Sequence, residues 1–138
     1  MSKNTLLLNT ENPTVTLKPG DCFHLTNNKK LKEKHLILLT NHQKSKIHIK
    51  IDFTSDGKYV YVTDKEGGVL VNHSNSGLPT KMVKGYVYLF LVGESYIFHL
   101  RHNQKSSEEN KYDRILINFV DHNNLTLHLI PAGEQNAE

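Results

Sequence analysis

Apolar and polar residues alternate with a period of two wherever this chain is apolar. The clearest case is IHIKIDF at residues 47–53, in which isoleucine and phenylalanine interleave with polar side chains. A period of two predicts a β-strand with one buried and one exposed face. Similar runs, rich in β-branched and aromatic residues, predict nine further strands: TVTL (14–17), CFHL (22–25), HLILL (35–39), YVYV (59–62), GVLV (68–71), YVYLFLV (86–92), SYIFHL (95–100), RILINFV (114–120) and LTLHLI (125–130).

Short turn-forming sequences separate these strands. They are PGD at 19–21, SDG at 55–57, GG at 67–68, SGLP at 76–79 and GE at 93–94. Each supplies residues that adopt the backbone angles of a tight connection, so we expect hairpins in an antiparallel meander. No window carries an apolar stripe of helical period and length, so we predict at most a short helical turn, for which residues 106–112 are the most tolerant segment.

The pattern divides the chain into four parts. Residues 1–102 are expected to form a β-sandwich, and the mostly polar residues 103–112 a connector. Residues 113–131 predict an additional C-terminal hairpin that turns at DHNN (121–124) and packs on the sandwich or on a partner chain. Residues 132–138 are expected to be a disordered tail.

Composition narrows the class of protein. A chain of 138 residues supports one hydrophobic core. The single cysteine, Cys22, cannot form an intramolecular disulfide, which favours an intracellular compartment. No segment approaches the roughly 18 apolar residues of a membrane span, so we expect a soluble protein without a membrane partner.

The sequence carries no pattern typical of catalysis. There are nine histidines, but no His-x-His pair and no His/carboxylate set at ligand spacing, so we predict no metal and no cofactor. TLKPGDCFHL resembles a cupin turn, but the cupin histidine pair and glutamate are missing. Cys22 and His24 share a strand face without an orienting carboxylate. We therefore expect a protein that is not an enzyme.

Positive charge concentrates in residues 28–50, where seven lysines face one acidic residue, Glu33. The lysines could meet phosphate groups or an acidic peptide, or they could be solvated loops and a lysine-protected strand edge. Both interpretations stay open. Nucleic acid is a weaker candidate, because lysines without interleaved arginines or aromatic residues give only unspecific contacts.

The octet LKEKHLIL at 31–38 resembles the Ser-Arg-x-His motif of forkhead-associated (FHA) domains, with His35 matching, Lys32 at the serine and Glu33 at the arginine. The order of segments around it is also similar. LKPGDCFHLTNN (17–28) resembles the family's strand that ends in Gly-Arg, with Leu25 and Thr26 in that place.

Two later segments extend the resemblance over residues 5–102. GGVLVN (67–72) is similar to the family's Asn-Gly-Thr-x-Val-Asn and keeps Gly68, Val71 and Asn72. MVKGYVYLFLVGESYIFHLR (82–101) is similar to its closing strands. The resemblance implies an eleven-stranded antiparallel β-sandwich with its loops at one end.

Members of this family typically bind phosphothreonine peptides through an arginine, a serine and an asparagine. Thr26, Lys32 and Gly67 stand in those places here. A threonine offers neither the charge nor the fork of a guanidinium, so the resemblance implies a degenerate module. It implies loop bracing by His35 and Gly68, and phosphate or peptide contacts from a wider set: Thr26, Asn27, Asn28, Lys29, Lys30, Lys32, Lys34 and Asn72.

We therefore expect a non-catalytic protein-interaction module, acting as a scaffold, dimerisation unit or adaptor in a nuclear complex of the DNA-damage, chromatin or RNA-processing kind. Its partner would be a protein, for instance an acidic or phosphorylated peptide, or a second copy. A nucleoplasmin-like, pentameric histone chaperone is the alternative, although acidic tracts of that family are missing. Phosphopeptide binding through Lys32 and Lys34 comes third, and a small-ligand barrel enzyme after it.

Overall fold

The computed structural model describes residues 4–40, 45–73, 78–100 and 113–132. In these ranges the chain forms β-strands and no helix, so the prediction of an all-β protein is confirmed. The strands are β1 (Asn4–Leu8), β2 (Thr14–Leu17), β3 (Cys22–Thr26), β4 (His35–Leu39), β5 (His48–Phe53), β6 (Tyr59–Asp64), β7 (Leu70–His73), β8 (Thr80–Lys81), β9 (Val87–Leu91), β10 (Ser95–Leu100), β11 (Asp113–Asp121) and β12 (Asn124–Ile130).

Ten of these strands coincide with the ten predicted runs, and β1 and β8 are additional. Strand β8 has only two residues, too few for alternation to show. The connector at 103–112, its predicted helical turn and all but the first residue of the tail lie outside the described residues. In the part of the chain that is described, there is no helix of the length and apolarity that a membrane span requires.

The strands form two six-stranded sheets that pack as a sandwich. The first sheet has the order β1-β4-β3-β5-β6-β9, and the second has the order β2-β12-β11-β10-β7-β8. Most neighbours are antiparallel, but β4 runs parallel to both β1 and β3. The expectation of a purely antiparallel sandwich needs this correction. Alternation along one strand reports its buried face and carries no information on the direction of its neighbours.

The turns at 19–21, 67–68 and 93–94 were expected to close hairpins, and that expectation is wrong. In the structure they carry the chain from one sheet to the other, between β2 and β3, β6 and β7, and β9 and β10. The SDG turn does close the β5–β6 hairpin, and residues 121–124 close the β11–β12 hairpin. A turn sequence fixes a chain reversal, but packing decides which sheet the returning strand joins.

One continuous apolar core lies between the sheets. Phe53 of β5 meets Phe119 of β11 edge-to-face, with ring centroids 5.2 Å apart. Phe90 of β9 stacks on Tyr96 of β10 at 3.8 Å. Each ring is almost fully removed from water, and each such burial contributes roughly 1.5–3 kcal/mol. These aromatic contacts fix how the two sheets face each other.

The C-terminal hairpin of residues 113–131 lies inside the second sheet. Strand β11 pairs with β10 and β12 pairs with β2, so each has a neighbour on both sides. The side chains that this hairpin turns inward are at most 5% exposed, and they are Ile115, Ile117, Phe119, Leu125, Leu127 and Leu129. The hairpin is therefore an integral part of the core.

Candidate functional site

The lysine-rich connector between β3 and β4, residues 27–34, is here called the basic loop. Because β3 and β4 are parallel neighbours, the loop returns along the strand it has just left. Thr26 at the end of β3 pairs with Leu38, near the end of β4. His35, which begins β4, lies beside Phe23 with ring centroids 5.3 Å apart. The basic loop therefore spans the length of β3 instead of staying at one end of the sandwich.

Hydrogen bonds fix the start of the basic loop. The Thr26 hydroxyl accepts from the N–H of Asn28 at 3.0 Å, and the side chain of Thr26 is buried. The amide of Asn27 donates to the carbonyl of Ser45 at 2.6 Å and accepts from the N–H of Ile47 at 3.1 Å. Thr26 and Asn27 therefore brace the loop from below, which leaves ligand contacts to the residues after them.

The basic loop presents four ammonium groups to solvent. Lys29, Lys30, Lys32 and Lys34 are all exposed. Across the described ranges, none of them forms an ion pair with a carboxylate within 4.0 Å. Asn28, also exposed, turns the loop by accepting from the N–H of Lys30 at 3.0 Å. The lysines form a positive surface of mobile point charges, without the rigid fork that an arginine supplies.

Beneath the basic loop, two histidines of the first sheet are joined by a hydrogen bond. Nδ1 of His24 lies 2.8 Å from Nε2 of His48, and Nε2 of His24 lies 3.5 Å from a carboxylate oxygen of Glu33. The register places them there, because Thr26 pairs with His48 and the two histidines are diagonal neighbours on the outer face. In such a pair, one nitrogen donates and the other accepts.

Burial lowers the pKa of both histidines below the ordinary value. For His24, the Glu33 carboxylate opposes this shift, while His48, Lys50 and Lys65 add to it. For His48, the charge of Lys65 lowers the pKa further. The carboxylates of Glu33, Glu66 and Asp64 oppose this lowering. Both lowered pKa values favour the neutral imidazoles at pH 7, and in the shared hydrogen bond at least one ring must be neutral to accept. The sequence places each histidine on an outer face, but only the register shows that they meet.

Cys22 lies on the same strand as His24 but is a poor nucleophile. Burial raises the pKa of its thiol, and the neighbouring Asp52 raises it further. The thiol is protonated at neutral pH, and a thiolate is the reactive form. Among the described residues, no group of three or more His, Cys, Asp or Glu side chains is arranged to hold a metal ion.

The Gly67-Gly68 segment belongs to a loop that a buried carboxylate holds in place. Asp64 is 0% exposed, and its carboxylate accepts from the N–H groups of Glu66, Gly67 and Val69 at 3.3, 2.8 and 3.1 Å. Gly68 adopts a φ of +89°, which suits glycine. An open groove of about 610 Å³ lies along this loop, lined by Glu66, Gly67, Gly68, Lys81, Met82, Val83 and Lys84.

The remaining predicted residues lie apart. Asn72 is in β7 of the second sheet, opposite Ile97, whereas the basic loop belongs to the first sheet. The Asn72 side-chain oxygen is buried and has no hydrogen-bond partner among the described residues. His35 is exposed and packs its ring against Phe23. The structure thus collects Thr26 through Lys34 on one connector and leaves Gly68 and Asn72 elsewhere.

A surface that the sequence interpretation missed lies on the outer face of the first sheet, at its β9 end. Five large apolar side chains are exposed there by 39–65%: Tyr59, Tyr61, Val87, Leu89 and Leu91. They are cross-strand neighbours on β6 and β9, with Tyr59 opposite Leu91 and Tyr61 opposite Leu89. We call these five residues the β6–β9 apolar face.

The sequence held a signal for this face. In VYLFL, residues 87–91, every position is apolar or aromatic, whereas a strand with one wet face alternates. The run predicts one strand over residues 86–92. In the structure β9 is an edge strand that turns Tyr88 and Phe90 inward and leaves the other three outside. The surplus of apolar residues on an outer face is typical of a surface with a partner.

Comparisons with protein-family models, with curated proteins and with solved structures found no match to this chain.

Proposed function

We propose that this protein is a non-catalytic protein-interaction module that binds through the β6–β9 apolar face. The observation that carries the proposal is the contiguity of five exposed apolar side chains on two paired strands. Taking roughly 200 Å² for a large side chain, about half exposed, the face amounts to on the order of 500 Å². Monomeric proteins rarely expose a larger patch, and patches of this size often mark binding sites.

The protonated Cys22 thiol and the neutral His24–His48 pair agree with a binding role. A nucleophile requires a lowered pKa or an adjacent base that a third group orients. Cys22 has a raised pKa, and His24 is hydrogen-bonded to His48. A binding function does not require Cys22, His24 or His48 to react, only to pack within the fold.

The forkhead-associated resemblance belongs to this proposal as its finer form, a degenerate FHA-like scaffold or adaptor of a nuclear complex. The two-sheet sandwich supports it, since a sandwich is what the resemblance implies. Thr26 stands in the place of the family's phosphate-binding arginine and is uncharged and only 1% exposed. This supports a degenerate domain that lacks the usual phosphate contact. The nuclear setting follows from the resemblance alone.

A second candidate function is the binding of an acidic or phosphorylated peptide at the basic loop. The observation in its favour is the exposure of Lys29, Lys30, Lys32 and Lys34 without carboxylate partners in the described ranges. Lysine meets phosphate as a point charge, so this binding would be weak and sensitive to salt.

Affinity capture from cells with matched variants tests both candidates. Threonine keeps the strand preference while removing apolar area, so Tyr61→Thr/Leu89→Thr should reduce the recovered partner by at least about tenfold. The control is Val120→Thr, which alters a side chain 62% exposed on β11. Lys32→Glu/Lys34→Glu forms the third arm.

Loss with the threonine pair alone supports the β6–β9 apolar face. Loss with the charge reversal alone supports the basic loop and contradicts the first candidate. Equal recovery with all four proteins contradicts both. Circular dichroism and a thermal melt of each variant establish that it is folded.

A further inference from the structure

The free edge of β9 has a defined set of backbone groups. Tyr59 donates its N–H to the Thr54 hydroxyl at 3.2 Å, and its carbonyl accepts from the N–H of Thr54 at 3.0 Å. Both backbone groups of Tyr59 therefore point away from β9, which makes Tyr59 and Leu91 a pair without ladder hydrogen bonds. Since such pairs alternate with bonded ones, Leu89 and Val87 direct their N–H and carbonyl groups to the open edge.

The C-terminal end of this edge is already engaged. The N–H of Leu91 donates to the Tyr96 hydroxyl at 3.2 Å, and the carbonyl of Leu91 accepts from the N–H of Glu94 at 3.3 Å. Within the described residues, Val87 and Leu89 make no bond of this kind toward the edge. Four groups thus remain available, two donors and two acceptors, placed symmetrically about Tyr88.

From this symmetry we infer that the occupant of the β9 edge is a second copy of this chain, paired antiparallel about a two-fold axis at Tyr88. The inference rests on the proposed function and names a partner for the β9 border of the β6–β9 apolar face. Val87 of one copy would face Leu89 of the other, and each such pair exchanges two hydrogen bonds. The four available groups of each chain would then all be satisfied.

The alternative register, with Leu89 facing itself, would set Val87 opposite Leu91. It would need the backbone groups of Leu91, which Tyr96 and Glu94 already engage. Only the two bonds between the Leu89 residues would form freely. The hydrogen-bonding pattern of the edge therefore favours the register centred on Tyr88 over the one centred on Leu89.

The side chains of the edge are self-complementary as well. Residues 87–91 carry no charge and no proline, the two devices by which exposed edges usually avoid pairing. Residues paired by hydrogen bonds point to the same side of a sheet, so Val87 and Leu89 from both copies would form one apolar strip beside Tyr61.

Strand pairing at the β9 edge extends the first sheet sideways, so it covers the backbone edge and the flanks of Val87 and Leu89 and leaves the outer faces of Tyr59 and Tyr61 at the surface. The buried area is therefore smaller than the roughly 800 Å² per partner of a standard interface, and the dimer has to be sought at high protein concentration. Like charges do not oppose each other across the axis, because the strand has none.

Sedimentation velocity of the purified full chain tests the assembly. We expect a species of twice the 15.8 kDa chain mass at about 100 µM protein, and Leu89→Lys should weaken dimerisation by at least about 100-fold. Val120→Lys, the matched control on β11, should leave the dimer intact. A monomer or a pentamer for the wild type, or a dimer that survives Leu89→Lys, would overturn the inference.

Disulfide trapping tests the register, in a Cys22→Ser background so that only the new thiol reacts. Tyr88→Cys places two cysteines across the axis at about 4.5 Å between Cα atoms, within disulfide range. Leu89→Cys places its two cysteines diagonally at roughly 7–8 Å, outside that range. Cross-linking of Tyr88→Cys alone supports the register, and the reverse result overturns it.

The two proposals fail separately. If the wild type is monomeric but Tyr61→Thr/Leu89→Thr still loses a captured protein, the second copy is wrong and the interaction module stands. If the chain is monomeric and capture is unchanged, both are wrong.

Discussion

At the scale of single residues, Gly57 shows how one tertiary contact limits which residue types a turn position accepts. It lies in the β5–β6 turn with a φ of +73°, and a Cβ placed on it would meet the carbonyl oxygen of His122. His122, in the β11–β12 turn, bonds the Gly57 carbonyl through Nδ1 at 3.0 Å. Two turns from different sheets therefore pack backbone against backbone at this point.

Substitution of Gly57 by alanine should be strongly destabilising, because the left-handed backbone and the collision with His122 act together. We expect a loss of about 3 kcal/mol or more in the free energy of unfolding. Gly20 is the matched control: its φ is +91°, but nothing lies within 4 Å of an added Cβ. Gly20→Ala should cost only about 1–2 kcal/mol. Urea denaturation measures both, and equal losses would contradict the close contact.

The residue types at its start and along its length also explain the character of the basic loop. Thr26 is uncharged and buried, and its hydroxyl supports the turn into Asn28. The charge of this region lies on exposed side chains of the basic loop, such as Lys32 and Lys34. The basic loop therefore presents a positive surface of lysine ammonium groups, without the rigid fork that a guanidinium supplies.

At the scale of elements, the β11–β12 hairpin occupies the middle of the second sheet. It separates β10 from β2, and each of its strands contributes three nearly inaccessible side chains to the core. The polar residues before it make it look like an addition to a body that ends near residue 102. Its position is set by pairing with β2, about 110 positions earlier in the chain, as in the pair of Thr14 and His128.

A chain that ends after residue 112 should therefore not fold. Six core side chains would be lost at roughly 1.5–3 kcal/mol each, together about 9–18 kcal/mol, which is as large as the whole 5–15 kcal/mol by which such domains are typically stable. A chain that ends after residue 132 keeps every described strand and should unfold like the full chain. Circular dichroism and urea titration compare the two, and a cooperative transition in the shorter chain would show the hairpin to be dispensable.

At the scale of the whole molecule, the His24–His48 pair couples stability to pH. Burial lowers the pKa of both groups in the folded state, with Lys65 and Lys50 nearby and Glu33, Glu66 and Asp64 opposing. The unfolded chain then binds more protons near pH 6.5 and below. The contribution of the pair is complete above that pH and is lost as the pH falls through it.

We accordingly expect the free energy of unfolding to decrease from pH 7.5 to pH 5.5, before most carboxylates titrate. His24→Gln/His48→Gln should flatten this decrease, since glutamine does not take up the proton. His128→Gln on β12 is the matched control, because it removes a histidine that lies outside the pair. The measurement is urea denaturation at several pH values, and identical slopes for all three proteins would contradict the role of the pair.

The candidate site shows how far sequence reasoning reaches. Lys29 through Lys34 are adjacent along the chain, so their clustering needs no tertiary information. The β6–β9 apolar face joins Tyr59 to Leu91 and Tyr61 to Leu89, residues that lie far apart along the chain, and only the pairing register brings them together. The same is true of His24 and His48. The residue pattern of a strand shows which of its two faces is apolar, but it does not show which other strand pairs with it.

The residue pattern is enough to assign the all-β class and to place ten of the strands, because a period of two and a turn residue are local properties. The parallel direction of β4, the crossing of three turns between the sheets and the edge position of β9 emerge only in the folded chain. Pairing and exposure depend on contacts between residues far apart in the chain, which no local pattern contains. Alternation fixes which face of a strand is apolar, and packing decides what, if anything, covers it.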